Sequence, residues 1–349
     1  METEIELIKD INEDSCIIEK AAKVIKNGGI VAFPTETVYG LGADALNENA
    51  VKKIFEAKGR PQDNPLIIHV SSKKIDKYVK DIPECAEKMM EKFWPGPLTI
   101  ILNKKDIVPN MTSANLSSVG VRMPSEPIAL KLIEMSGVPI AAPSANISGR
   151  PSPTDVERCV EDLKGRVDFI LGGKKSRVGV ESTIVDCTVN PPVVLRPGGI
   201  TLEMLKEIDS RIEIDKAILS KPTKDFKPKA PGMKYRHYAP KAKVRIISGE
   251  NEKVVEKINE MIHNYMEEGK SVGVLASEEN NKKYISKDII TLGSIKDLSK
   301  VAQNLFEALR SFDDKGVDII LSEAFEEKGL GIAVMNRLKK AAGYDIINI

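Results

Sequence analysis

The sequence predicts an α/β protein with two domains, a large twisted sheet covered by helices and a smaller Rossmann-like domain after it. Three observations lead to this prediction. The chain has 349 residues, more than one ordinary hydrophobic core accommodates. Short apolar runs alternate with segments of helical periodicity along most of its length. Residues 221–243 form a basic, proline-rich segment without an apolar period, which is typical of a linker.

The composition is typical of a soluble globular protein, with 42% hydrophobic and 30% charged residues. The net charge of +1 provides no overall attraction to nucleic acid or membranes, so any basic site must be local. No apolar run approaches the ~18 residues of a membrane-spanning helix, and the acidic N-terminal segment lacks a signal-peptide core. We therefore expect a cytoplasmic protein without a membrane partner.

Cysteine and histidine spacing indicates no metal site built from protein ligands. The four cysteines, at positions 16, 85, 159 and 187, form no CxxC pair. The three histidines are far apart in the sequence. We therefore expect neither a disulfide framework nor a zinc site.

The first two hundred residues contain a less regular mixture of elements, which predicts one large twisted sheet. The predicted strands are 30–33, 66–70, 98–102, 119–122, 139–142, 169–171, 183–186 and 193–195. The predicted helices are 17–27, 50–57, 75–79, 84–93, 127–136 and 154–163. The helix at 154 has a clear start, because Ser152, Pro153, Thr154 and Asp155 precede its first apolar residues.

The last hundred residues alternate strictly between strands and helices, which predicts a parallel sheet. The predicted strands are 243–247, 271–276, 288–292 and 317–323, and the predicted helices are 250–268, 298–312 and 331–342. We place the first domain at 1–213, the linker at 214–243 and the second domain at 244–349.

Two glycine-rich motifs bear on nucleotide binding. Gly40 to Ala45 matches G-x-G-x-x-A, and Asp63 lies about twenty residues further on, as in a dinucleotide fingerprint. The glycines do not directly follow a strand, so an NAD-dependent enzyme is kept only as an alternative. The segment "GGKKS" lacks the first glycine of a P-loop, and we exclude that motif.

The segment "FPTETVYGLG" places Thr35 and Thr37 on either side of Glu36, after a strand. Thr37 is a good N-cap for a short helix. Hydroxyl and amide groups at a helix start also bind small carboxylates, which gives Thr37 a second possible role.

The segment "AKGRPQDNPLIIHV" places Lys58 and Arg60 at a predicted helix C-terminus, where they would complement the helix dipole. The same cations, with Asn64 and His69 as further donors, suit a phosphate chain. Both interpretations remain open from the residues alone.

Polar residues follow several other strands, where ligands bind in open α/β sheets. They are Arg122, Ser144, Asn146, Ser148, Ser152, Ser182, Thr183 and Arg196. No Ser–His–Asp set and no paired carboxylates accompany them. Such a pocket suits reactants that carry their own nucleophile and leaving group, with catalysis by positioning and by stabilising phosphate charge.

Six motifs resemble, in order and spacing, those of the threonylcarbamoyl-AMP synthases of the YrdC-like type. They are "PTETVYGLG", "KGRPQDNPLIIHV", "WPGPLTIIL", "VRMP", "APSANISG" and "STIVD…LRPGG". The linker "PGMKYRHYAP" and the segment "GLGIAVMNRLKKAA" resemble their two-domain branch. The resemblance implies a YrdC-like mixed sheet in the first domain. It also implies that L-threonine, bicarbonate and ATP form threonylcarbamoyl-adenylate and pyrophosphate.

The resemblance also implies roles for individual residues. Catalysis would depend on Lys58, Arg60, Ser144 and Asn146, with Lys58 and Asn146 near the phosphates. Threonine would be held by Thr37, His69, Arg122, Ser182 and the backbone near Ala142. ATP would be held by Arg60, Asn64, Ser118, Ser144, Ser152, Arg196 and Tyr235. The chain departs from the family at "SANL", where Thr-Ala-Gly-Leu is expected. This departure affects the assignment of the nearby Ser118 to ATP binding.

Cofactors and partners are likewise implied by the resemblance. Mg²⁺ would arrive with ATP, no prosthetic group would be tightly bound, and a tRNA threonylcarbamoyl transferase would receive the product to modify the adenosine at tRNA position 37. Tyr235 in the linker would make that segment a lid rather than a tether. The alternative function is a double-stranded RNA-binding module that uses the basic linker.

Overall fold

The computed structural model describes residues 2–218, 228–231, 233 and 237–349. The chain divides into two compact units. The first comprises 1–148 and 152–234, and the second comprises 149–151 and 235–349. The narrower domain and linker limits proposed from the sequence stay a prediction.

The described part of the first unit contains one sheet of eleven strands. The strands are β1 (Glu4–Leu7), β2 (Val31–Phe33), β3 (Gly40–Asp44), β4 (Ile67–His69), β5 (Leu98–Asn103), β6 (Ser118–Arg122), β7 (Ile140–Ala141), β8 (Phe169–Gly172), β9 (Thr183–Asp186), β10 (Val193–Arg196) and β11 (Glu213–Ile214). Their order is β1-β8-β2-β3-β7-β4-β6-β5-β9-β10-β11. Parallel and antiparallel neighbours are mixed, as the fold prediction required.

Helices cover this sheet, and their ends follow from local chemistry. They are α1 (Ser15–Lys26), α2 (Glu48–Lys58), α3 (Glu84–Phe93), α4 (Asn110–Ser113), α5 (Pro127–Ser136), α6 (Val156–Leu163) and α7 (Leu202–Lys206). The Asn47 side chain caps the start of α2, and Gly59 ends it in the left-handed conformation at φ 60°. The Asp155 side chain caps α6 by accepting from the Arg158 N–H.

The second unit contains a parallel sheet, as predicted from its alternating pattern. Its described elements are β12 (Lys243–Ser248), α8 (Asn251–Glu267), β13 (Val272–Ser277), β14 (Asp288–Gly293), α9 (Leu298–Lys315), β15 (Ile319–Glu323), α10 (Leu330–Ala341) and β16 (Ile346–Asn348). The strand order is β14-β13-β15-β12-β16, and every pairing is parallel. On α8, Val254, Ile258, Met261 and Ile262 are buried, as their spacing indicated.

One predicted helix is absent, and the dinucleotide-loop alternative is contradicted. No helix forms at 75–79. Ile75 O accepts from the N–H groups of Tyr78 and Val79, which makes a single turn. Gly40 to Asp44 is the strand β3 and not a phosphate loop. A Cβ on Gly42 would lie 2.7 Å from the Phe33 ring, so this glycine makes room for packing rather than for a pyrophosphate.

Candidate functional site

A row of polar residues runs across the middle of the first sheet. His69 on β4 pairs with Arg122 on β6, and Arg122 pairs with Thr99 on β5. Thr99 pairs with Ile184 on β9, and Ile184 pairs with Arg196 on β10. Side chains directly opposite each other project from the same face of a sheet. The structure therefore brings His69, Arg122 and Arg196, three residues that the sequence singled out, onto one face.

Ser182 joins this row through two of its members. Its hydroxyl oxygen lies 2.8 Å from Thr99 Oγ1, and Arg196 Nη2 donates to it over 3.0 Å. Arg196 Nε also donates to the Ser182 carbonyl over 2.9 Å. Thr99 was not predicted from the sequence. The available signal was a hydroxyl in the apolar strand "LTIIL", two positions from the buried Ile101 on the same face.

The loop after β2 carries a buried ion pair that was likewise not predicted from the sequence. Arg122 Nη2 lies 2.8 Å from Glu36 Oε1, and the two side chains are only 5% and 0% exposed. Arg122 Nε donates to Gly96 O over 3.4 Å. The guanidinium is thus held between a carboxylate and a backbone carbonyl.

Thr37 is buried in the same loop, but it does not cap a helix, and that prediction is wrong. Thr35 organises the segment instead. Its Oγ1 accepts from the N–H groups of Thr37 and Val38 and lies 2.8 Å from Thr37 Oγ1. The hydroxyl of Thr35 therefore forms a local turn that competes with helix formation.

His69 is held neutral at physiological pH. Burial lowers its pKa to about 3, and the charge of Arg122 adds to this effect. Its ring and the ring of Phe33 are nearly perpendicular, at 88°, with a centroid distance of 6.4 Å. The imidazole can therefore contact a ligand by hydrogen bonding without adding charge to a row that already has two arginines.

Lys58 closes the loop that contains Ser144 and Asn146. Its ammonium group donates to the carbonyl oxygens of both residues, and Ser148 N–H donates back to Lys58 O. The Ser144 hydroxyl donates to Asn146 Oδ1 over 2.5 Å. Lys58 is only 2% exposed, so complementing the helix dipole at the surface does not account for it.

Arg60 and Asn64 lie in the next loop. Arg60 is buried, and its Nη2 donates to the carbonyl oxygens of Asn64 and Pro65 over 3.4 and 3.2 Å. Asn64 is also buried, and its Oδ1 has no hydrogen-bond partner among the described residues. The loop runs directly into β4, which carries His69.

The remaining predicted residues differ in how the structure places them. Ser152 is buried and donates to Glu181 Oε1 over 2.6 Å, next to Ser182. Ala142 N–H donates to Ile67 O. Ser118 is half-buried and begins β6, roughly 13 Å along the strand from Arg122. Tyr235 lies outside the described residues.

Part of the linker packs on the sheet face that carries the row. Ala230 and Met233 belong to one apolar cluster with Ile67, Ile101 and Ile184. Ile67 and Ile101 are each two positions from a member of the row, so they share its face. Ala230 and Met233 therefore cover the surface beside the polar row.

The described residues form neither a metal-binding cluster nor a membrane-spanning helix. In the described ranges, no group of three or more His, Cys, Asp or Glu side chains could hold a metal ion. The helices of the same ranges include none with the length and apolar character needed to cross a membrane.

Family models match both parts of the chain. One described as "Telomere recombination" matches residues 23–198, and one described as "Threonylcarbamoyl-AMP synthase, C-terminal domain" matches residues 200–343. A threonylcarbamoyl-AMP synthase from Pyrococcus abyssi is 54% identical over 333 residues, which cover 95% of this chain and 96% of that protein. One from Bacillus subtilis is 45% identical and covers 98% of each chain.

A solved structure agrees with the whole chain. It is the crystal structure of Pyrococcus abyssi Sua5 complexed with L-threonine. The TM-score is 0.93 at 51% sequence identity, and the alignment covers 100% of both chains.

Proposed function

Because the chain belongs to the threonylcarbamoyl-AMP synthase family, we infer that it makes threonylcarbamoyl-adenylate and pyrophosphate from L-threonine, bicarbonate and ATP. The family resemblance predicted from the motifs is confirmed. The observation that supports the inference best is the row of His69, Arg122, Thr99 and Arg196, which places two guanidinium groups and a hydroxyl on one buried face.

The reaction requires no protein nucleophile. The threonine amine adds to the carbon of CO₂ derived from bicarbonate, and the loss of protons leaves a carbamate. A carbamate oxygen then attacks the α-phosphorus of ATP, and the bond to the bridging oxygen breaks as pyrophosphate leaves. The protein's contribution is to position two anionic reactants and to stabilise the charge of the transferring phosphoryl group.

The threonine side of this proposal uses Thr37, His69, Arg122, Ser182 and the backbone near Ala142. Arg122 supplies a planar guanidinium for the α-carboxylate. Neutral His69 and the hydroxyls of Thr37 and Ser182 supply uncharged hydrogen-bonding groups for the rest of the substrate. A fixed hydroxyl set suits a substrate with its own hydroxyl, because unpaired buried polar groups disfavour analogues that lack it.

The ATP side uses Arg60, Asn64, Ser118, Ser144, Ser152, Arg196 and Tyr235. Lys58 and Asn146 complete the catalytic set by shaping the loop around Ser144. Because Arg196 contacts Ser182, it lies where the threonine and nucleotide sides of the proposed site meet. Arg60 and Arg196, the two arginines assigned to ATP, would neutralise the phosphates during transfer.

Mg²⁺ is proposed to come with the nucleotide. The described residues include no cluster of acidic ligands for a dedicated metal site. Hydroxyl and amide oxygens such as those of Ser144 and Asn146 are nevertheless compatible with a magnesium ion bound mainly by phosphates and water. The ion would neutralise phosphate charge.

The direct test is pyrophosphate release. Release should require threonine and bicarbonate together, and label from ¹⁴C-bicarbonate should appear in an adenylate product. Equal release without threonine would contradict the proposal.

Delivery of the product to a tRNA threonylcarbamoyl transferase and a cytoplasmic location are further parts of this proposal. Family membership supports the synthase and not the double-stranded RNA-binding alternative. Any RNA affinity through the basic linker should fall steeply with salt.

The linker is proposed to act as a lid. Ala230 and Met233 already pack beside the polar row, and Tyr235 follows two residues later. Met233→Asp should therefore raise KM for ATP while the first unit stays folded. An unchanged KM for ATP would favour a simple tether.

A further inference from the structure

The buried ion pair between Glu36 and Arg122 has no assigned role in the reaction. Both side chains are almost completely shielded from water, at 0% and 5% exposure. An unpaired buried charge is strongly unfavourable, so each side chain depends on the other. No other cation is paired with Glu36 among the described ion pairs.

The contacts of Arg122 leave much of its guanidinium available. Nη2 lies beside Glu36 and Nε donates to Gly96 O, and the described residues provide no further partner. A guanidinium has five N–H donors in a rigid fork. A fork held from one side by Glu36 can present its remaining donors to a carboxylate.

Glu36 itself is incompletely satisfied. Neither of its carboxylate oxygens accepts an aligned hydrogen bond from any described group, although Oε1 is in ionic contact with Arg122. A purely structural carboxylate would be expected to accept several hydrogen bonds, because buried polar groups are normally satisfied. The arrangement therefore favours a role in a ligand site over a role in folding alone.

We propose that Glu36 is a positioning residue for Arg122 and thereby sets the affinity for the α-carboxylate of threonine. This inference rests on the proposed function. It assigns Glu36 to the amino-acid side of the site and not to the nucleotide side. Removing its charge should release the guanidinium from its fixed orientation.

The test is calorimetric titration of the full chain with L-threonine and, separately, with ATP. Glu36→Gln keeps the size but removes the charge, and it should weaken threonine binding about tenfold or more with ATP binding unchanged. Glu36→Asp keeps the charge and should retain an intermediate threonine affinity. If Glu36→Gln does not fold, the threonine affinity of Glu36→Asp provides the test instead.

Glu126→Gln is the matched control. Burial raises the pKa of this half-buried carboxyl, and the nearby charge of Glu36 adds to the effect, but no described ion pair joins Glu126 to Arg122. Its threonine affinity should equal that of the wild type. A loss equal to that of Glu36→Gln would overturn the specific role of Glu36.

A double-mutant cycle tests whether Glu36 acts through Arg122. Arg122→Lys keeps the charge and loses the planar fork. If the proposal holds, adding Glu36→Gln to Arg122→Lys weakens threonine binding no further. Additive losses, or a Glu36→Gln protein with wild-type threonine affinity, would overturn the proposal. A wild-type protein that binds no threonine would instead overturn the proposed function, and this inference with it.

Discussion

Two buried glutamates, one in each unit, differ in how completely their oxygens are satisfied. Glu323 at the end of β15 accepts four hydrogen bonds of 2.9 to 3.0 Å, two from Ser277 and one each from Asn280 and Tyr284. Glu36 in the first unit has one ionic contact and no aligned hydrogen bond within the described chain. A complete network stabilises a fold, whereas an incomplete one leaves capacity for a ligand.

Glu323 lies at the end of β15, beside the point where the strand order of the second sheet reverses. β13 and β15 are neighbours, and the connections after them run toward opposite edges of the sheet. This is the switch point at which open α/β sheets usually bind ligands. Here Ser277 at the end of β13 donates two hydrogen bonds to Glu323 at the end of β15. The sheet is Rossmann-like in form, and the polar groups at its switch point satisfy one another.

The largest expected effect is on the loop closed by Lys58. Lys58→Ala should lower kcat/KM by about 100-fold or more, because Ser144 and Asn146 lose the group that holds their loop in place. Steady-state pyrophosphate release is the measurement. Lys52→Ala changes an exposed lysine of the same helix and should leave activity unchanged. Parallel loss of the circular dichroism signal in Lys58→Ala would mean that Lys58 serves only folding.

The next effect is on stability and concerns the second unit. Glu323→Ala should lower the free energy of unfolding by about 1–3 kcal/mol, because it leaves buried donors without their acceptor. Threonine affinity should not change, in contrast to Glu36→Gln. Urea denaturation and threonine titration would show this, with the exposed Glu256→Ala as control. Unchanged stability would contradict the structural role of the Glu323 network.

A pH-dependent effect is expected from His69. Its pKa in the folded protein is about 3, against 6.5 for an unperturbed histidine. Below pH 6.5 the unfolded chain therefore binds a proton that the folded chain does not, and stability is lost as the pH falls, by about 1.4 kcal/mol per unit. Between pH 7.5 and 5.5 the wild type should lose about 1.4 kcal/mol more than His69→Gln in urea unfolding. Equal losses would show that His69 is protonated when folded.

The smallest effect is expected at Thr99. Thr99→Val removes one hydroxyl contact of Ser182 but leaves both contacts from Arg196. Activity should fall about three- to tenfold, in line with one lost hydrogen bond. Thr188→Val is the control, since the Thr188 hydroxyl donates to Asp186 near the strand end and has no other partner among the described residues. A loss as large as that of Lys58→Ala would mean that Thr99 contacts a reactant directly.

Most of the fold and several residues of the candidate site were predictable from the sequence. Apolar spacing located α3 and α5 to the residue. Apolar spacing wrongly predicted a helix at 75–79, because a single turn produces the same short spacing of apolar residues as a helix. Dense polar motifs identified His69, Arg122 and Arg196. Thr99 and Glu36 escaped because an isolated hydroxyl or carboxylate in a local window has no distinguishing pattern.

The amino-acid sequence by itself determined the class of fold, the positions of most elements and the identity of the cations and hydroxyls, because periodicity and turn chemistry act over a few neighbouring residues. Only the tertiary structure decided that His69, Arg122 and Thr99 stand side by side and that Glu36 is the counter-ion of Arg122. Strand register and buried charge pairing depend on how distant segments pack, and no local pattern contains that information.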